Sequence, residues 1–145
     1  MVAGDPGGKY QGRMSCVMPI LRQMLGGSPS GPKARVRNFI ANARLGTQST
    51  VIHENLINPG VVVPFHVHST EEVIVVLAGE GECRTENATE HYAAGDVLIL
   101  RAGTKHSIRN PGTTLLRQLC IFPANPATQQ LETEGIDQIV DIYNA

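Results

Sequence analysis

The chain has 145 residues, of which 41% are hydrophobic and 17% are charged, and its formal net charge is −1. These values predict one folded domain, and they exclude the basic character expected of a protein that binds nucleic acid or an anionic membrane. No apolar run approaches the roughly 18 residues that a membrane-spanning helix needs. Three scattered cysteines, Cys16, Cys83 and Cys120, predict free thiols in a cytoplasmic protein.

Glycine and proline recur through residues 1–33, which predicts either an N-terminal arm laid over the domain or over a partner subunit, or a partly ordered tail. Its one expected regular element is a short helix over residues 19–25. From residue 34 to 123, short apolar runs alternate with turn residues and predict an all-β barrel or sandwich. The predicted strands are 35–41, 48–57, 61–68, 72–78, 81–85, 89–92, 96–100, 105–109 and 114–122.

Residues 124–145 are predicted to form a C-terminal tail with one short helix. Four apolar residues in this tail follow the spacing of one helix face, i, i+3, i+4 and i+7. They are Ile136, Ile139, Val140 and Tyr143.

Two histidines, His66 and His68, flank a single residue in the predicted strand 61–68. Because alternate residues of a strand share a face, both imidazoles point the same way and can bind one ion.

The residues around this pair resemble the two sequence signatures of the cupin superfamily. The first signature is matched by Gly60, His66, His68, Glu72 and Gly79, and the second by Gly95, Gly103, His106 and Asn110. One position departs from the family pattern, since Arg101 stands where proline is usual. The resemblance covers residues 60–110 and implies a cupin double-stranded β-helix, a conical β-barrel of the jelly-roll type.

The resemblance also implies one divalent metal ion per subunit, held by His66, His68, Glu72 and His106. Nitrogen and oxygen ligands without a nearby cysteine favour zinc, with iron, nickel and manganese as alternatives. Small cupins are commonly homodimers. An outward apolar face on strand 61–68 is the predicted surface for the partner, and it consists of Val63, Phe65 and Val67.

His53 is an alternative fourth ligand in place of Glu72. If residues 58–61 form a four-residue loop between two paired strands, His53 lies opposite His66 and shares the metal-facing side. A three- or five-residue loop turns His53 away. His91, in a predicted hairpin, is expected to be exposed.

Strand 114–122 is predicted to line the pocket, and two orientations are open. Either Leu116, Gln118 and Cys120 face inward or the alternate set with Arg117 does; the first is favoured because a buried arginine needs a partner. Gln118 would then lie behind the metal ligands or contact the substrate. The pocket is expected to contain few basic residues, which disfavours phosphorylated sugars and dicarboxylates.

In size and predicted pocket the chain resembles the cupins that act as aromatic polyketide cyclases in bacterial antibiotic biosynthesis. The expected reaction is Lewis-acid-assisted enolisation and aldol ring closure of a small, apolar, aromatic or polyketide-like substrate. Two alternatives are open: an iron or nickel cupin dioxygenase of an enolisable dicarbonyl or aromatic substrate, and a non-catalytic ligand-binding cupin.

Overall fold

The computed structural model describes residues 18–31 and 34–123 and, for the backbone alone, residues 128–133 and 136–141. Within these ranges the chain forms eleven strands and one short 3-10 helix, Ala43–Leu45. No helix there is long and apolar enough to cross a bilayer. The strands are β1 Arg35–Ala41, β2 Val51–Ile57, β3 Val62–His68, β4 Glu72–Ala78, β5 Glu80–Thr85, β6 Thr89–Ala93, β7 Val97–Leu100, β8 His106–Arg109, β9 Leu116–Phe122, β10 Thr128–Thr133 and β11 Ile136–Asp141.

The strands form two antiparallel sheets, in the orders β1-β2-β9-β4-β7 and β11-β10-β3-β8-β5-β6. This confirms the predicted all-β double-stranded fold, and each of the nine predicted strands is present. Alternation along each strand turns one set of side chains into the space between the sheets. The core there is built from Val51, Ile57, Val63, Ile74, Val76, Cys83, Tyr92, Leu100, Ile108, Leu116, Cys120 and Phe122.

A bulge in β3 changes which of its residues face inward. The pairing of β3 with β8 shifts between Val63 and His66, where Pro64 has no N–H to donate to the neighbouring strand. Val63 is consequently buried on the same side as the histidines. Its predicted outward position is therefore wrong, because the prediction assumed unbroken alternation. The exposed apolar residue of β3 is instead Val62, and further exposed apolar side chains occur on β4 and β7, at Leu77, Val97 and Ile99.

The C-terminal segment adds strands to the second sheet. β10 pairs with β3, and β11 pairs with β10. The predicted helix is therefore wrong over Ile136–Asp141, and Tyr143 lies outside the described residues. Without β10, β3 would be an edge strand with unpaired backbone groups, so long-range pairing outweighs the local helical spacing. The β-branched residues Ile136, Ile139 and Val140 also suit a strand.

Residues 18–31 run across the outer face of the first sheet. The helix predicted over residues 19–25 is wrong, because side chains of the sheet take up backbone groups of this segment. The Gly26 amide donates to Glu54 Oε1 (3.0 Å), and Asn38 Nδ2 donates to the Met24 carbonyl (2.7 Å). Cys16 lies outside the described residues.

Candidate metal centre

Four side chains of the ligand type meet between the sheets: His66 and His68 of β3, Glu72 at the start of β4, and His106 at the start of β8. One ligand atom from each lies within 4.8 Å of the others, and all four residues are buried. His66 and His106 are direct partners in the β3–β8 ladder. Because β4 belongs to the other sheet, the cluster joins both layers of the fold.

Backbone carbonyls hold two of the imidazoles in a ligand-ready tautomer. His66 Nδ1 lies 2.7 Å from the Pro64 carbonyl, and His106 Nδ1 lies 2.8 Å from the Thr104 carbonyl. A carbonyl only accepts, so both Nδ1 atoms carry the proton. This leaves the Nε2 lone pair of each ring available to a metal ion, the arrangement in which a second hydrogen bond orients a metal ligand.

The contacts of Glu72 show that the cluster fits a cation. Its Oε2 lies 3.1 Å from His106 Nε2 and 3.3 Å from His68 Nε2. With its proton on Nδ1, neutral His106 directs a lone pair at a carboxylate oxygen, and two acceptors in contact repel each other. A proton or a metal ion between them removes that repulsion. Three imidazoles and one carboxylate are a donor set suited to a divalent transition metal.

The electrostatics of the cluster favour a neutral His66 and an ionised Glu72. Burial, and then the neighbouring His106, lower the pKa of His66 to about 3. Burial alone would raise the pKa of Glu72, but its close contacts with His106 and His68 outweigh burial and hold this pKa well below its usual range. These are the protonation states in which both residues bind metals.

His53 lies outside this group of ligand atoms, although it lines the same cavity. The hairpin pairing of β2 with β3 on which its ligand role depended does not occur. β2 pairs with β1 and β9, where His53 lies opposite Phe39 and Cys120. Its ring packs against Phe39 and Phe122, with centroid distances of 5.3 and 5.9 Å. The structure thus brings Glu72, and not His53, to the three histidines.

The cavity beside the cluster is narrow, with a volume of about 10 Å³, and it is more polar than the sequence predicted. Arg35, Asn55 and Gln118 line it together with His53. The inward orientation of Gln118 agrees with the prediction for β9. Arg35 is the one arginine or lysine among the lining residues, and the sequence did not predict it there; its Nε donates to Asn55 Oδ1 (2.8 Å). Alternation on β1 could have suggested a shared face for Arg35, Arg37 and Phe39, but not which face is inside.

Tyr92 fixes the orientation of Gln118. Its hydroxyl donates to Gln118 Oε1 (2.9 Å), and both side chains are buried. Gly81 makes this possible, because a Cβ at that position would collide with the Tyr92 ring. Sequence reasoning missed both residues, since this contact joins β6 to β9 across the interior.

Two residues that the sequence analysis singled out, His91 and Asn110, lie away from the cluster. His91 is exposed as predicted, 3.7 Å from Glu82. Asn110, from the second cupin signature, is fully buried. Its side chain donates to the carbonyls of Ile57 and Thr114 and accepts from the Gly112 amide, which makes its role structural.

Comparisons with known proteins agree with this architecture. Residues 54–122 match the family model described as "Cupin domain". The chain is also 37% identical over 65 residues to the oxalate-binding protein of Thermotoga maritima. That match covers 44% of this chain and 54% of the other, so it spans only about half of the relative's length.

Solved structures with the same fold include a conserved protein of Klebsiella pneumoniae with a double-stranded β-helix domain. It is 22% identical, with a TM-score of 0.63 over 75% of this chain and 85% of that one. The polyketide cyclase RemF of Streptomyces resistomycificus is 20% identical, with a TM-score of 0.61 over 74% of this chain and 78% of that one. Identities at this level establish the fold alone.

Proposed function

We propose that this chain is a cupin, because residues 54–122 match the cupin family model, and that it is a divalent-metal-dependent enzyme that promotes enolisation of a small oxygenated molecule. The proposal is carried by the convergence of His66, His68, Glu72 and His106, whose ligand atoms lie within 4.8 Å of one another. A divalent ion held there would supply Lewis acidity toward a carbonyl oxygen. Zinc suits the three nitrogens and one oxygen, and iron, nickel or manganese would also fit.

The chain's own residues support this chemistry beside the ligands. Gln118 accepts a hydrogen bond from Tyr92 at its Oε1, and its Nε2 makes only a long contact of 3.9 Å with Cys120 Sγ. An amide N–H of Gln118 would therefore stabilise negative charge that develops on a substrate oxygen. His53 is neutral at physiological pH, because burial lowers its pKa to about 3. Enolisation is the first step of aldol ring closure, and the reaction we favour is therefore of the polyketide-cyclase type.

The test is zinc content by mass spectrometry, together with exchange of the methyl hydrogens of acetophenone in D2O followed by NMR. We expect one zinc per chain and zinc-dependent exchange. His66→Ala and His68→Ala should each lose most of the zinc and the exchange, because each removes one of four ligands. His91→Ala is the matched control, since His91 is exposed and should retain both. A full equivalent of zinc in both ligand variants would refute the assignment.

A second candidate, ligand binding without turnover, is favoured by the Thermotoga maritima relative, which is named an oxalate-binding protein. Bound zinc without exchange, but with saturable binding of oxalate, would support this candidate over the enzyme. Consumption of oxygen by the iron- or nickel-loaded protein with a dicarbonyl substrate would instead indicate a dioxygenase.

A further inference from the structure

We propose that the cavity beside the candidate metal ligands contains a carboxylate-binding subsite formed by Arg35, Asn55 and Gln118, so that the ligand of this protein is an organic acid. The inference rests on the proposed function, because it assigns the chemical class of the molecule that binds at that centre. It replaces the neutral apolar ligand expected from the sequence.

The hydrogen bonds within the cavity wall occupy the amide oxygens of Asn55 and Gln118, which leaves N–H groups as the donors available to a ligand. Arginine has no acceptor, so the bond from Arg35 Nε to Asn55 Oδ1 fixes which end of this amide faces the guanidinium. Gln118 likewise gives its oxygen to Tyr92. The two amide nitrogens then lie only 4.0 and 3.9 Å from Cys120 Sγ, a weak acceptor. The oxygen of each amide therefore already accepts a hydrogen bond from another residue of the cavity wall or from Tyr92 behind it.

The positive charge of Arg35 beside the cavity favours the binding of an anion. The carboxylate that shares the cavity with Arg35 is Glu72, whose Oε2 is already in contact with His106 and His68. Burial, and then the charge of Arg37, lower the pKa of Arg35 to about 10, and the guanidinium is still protonated at neutral pH. An arginine among amide donors presents a fork that matches a carboxylate.

A separate observation also points to a ligand at this position. Nδ1 of His53 is buried and has no hydrogen-bond partner among the described residues, and His53 is only 4% exposed. Buried polar groups are rarely left unpaired, because each costs free energy. A ligand in the cavity would supply that partner. The cavity has a volume of about 10 Å³, which is room for about one water molecule, so only one end of the ligand would enter it.

The test compares malonate with malonamate, which differ only in the replacement of one carboxylate by an amide. Binding to the zinc-loaded protein is measured by calorimetry. We expect Arg35→Gln to weaken malonate binding by about 10-fold or more, the usual scale for a lost hydrogen bond to a charged group, and malonamate binding by less than about 3-fold. Arg44→Gln is the matched control, since Arg44 is exposed on the 3-10 helix and its loss changes the net charge equally.

A second variant keeps the test decisive if Arg35→Gln does not fold. Asn55→Asp preserves the shape and places an anion against Arg35, so it should also abolish the preference for malonate. Equal weakening of both ligands, or an unchanged preference in both variants, would overturn the subsite. If the wild type binds no zinc, the proposed function has failed, and the same preference measured on the metal-free protein still decides about the subsite.

Discussion

Glu72→Gln tests the candidate centre most directly. The substitution keeps the size of a side chain that is 4% exposed. It removes the charge of the carboxylate, whose Oε2 lies 3.1 and 3.3 Å from two imidazole nitrogens. Losing one ligand, or the charge behind it, should weaken zinc binding by about 10-fold or more. A tenfold loss corresponds to about 1.4 kcal/mol. Because zinc bound to the folded state stabilises it, the zinc-induced rise in Tm should shrink by about 3–6 °C.

The assay measures Tm with and without zinc for each variant, so that any effect on the metal-free protein cancels. His53→Ala is the comparison, because its ring lies in the same cavity but outside the group of ligand atoms. Its Tm should fall, since packing against Phe39 and Phe122 is lost, yet its zinc-induced rise should equal that of the wild type. The opposite outcome, with a normal rise for Glu72→Gln and none for His53→Ala, would establish a four-histidine site.

Three further predictions concern the stability of the metal-free protein, measured by urea unfolding. Burial lowers the pKa of His53 from 6.5 to about 3, so on acidification the unfolded chain takes up a proton before the folded chain does. The free energy of unfolding should therefore fall as the pH drops from about 6.5 toward 3. This loss should be smaller in His53→Leu, and an unchanged pH dependence in that variant would contradict the reasoning. Asn110→Ala should lower the free energy of unfolding by about 2–4 kcal/mol, because it removes three hydrogen bonds of a fully buried side chain and leaves the buried Ile57 carbonyl unpaired. A loss below about 1 kcal/mol would refute that role. Gly79→Ala should cost at least about 1 kcal/mol more than Gly95→Ala: both have positive φ, but only at Gly79 would a Cβ meet a backbone carbonyl, that of Leu115 at 2.6 Å. Equal costs would show that the backbone yields there.

The strands and the histidine pair could be predicted because their signals are local. Alternation along β9 places Leu116, Gln118, Cys120 and Phe122 on one buried face, and this pattern is set by a period of two residues within one segment. The same period puts His66 and His68 on one side of β3. Turn residues between the apolar runs similarly mark where strands end, so the bounds of nine strands were close to those observed.

The features that depend on pairing between distant segments were decided only by the tertiary structure. β2 pairs with β1 and β9 rather than with the next strand, which removed the register argument for His53. Residues 136–141 became a strand because the edge of β3 offered backbone partners, although their spacing also fits a helix. A bulge at Pro64 reversed the side on which Val63 lies.

The residues of the cavity also divide into those that the sequence predicted and those that only the tertiary structure revealed. The sequence by itself grouped His66, His68 and His106, with Glu72 or His53 as the fourth residue, because the spacings resemble the two cupin signatures. Only the tertiary structure placed Arg35 in the cavity and Tyr92 behind Gln118. No local pattern specifies which face of β1 is inside, because that depends on the sheet against which β1 packs and on the buried amide that receives the arginine's hydrogen bond.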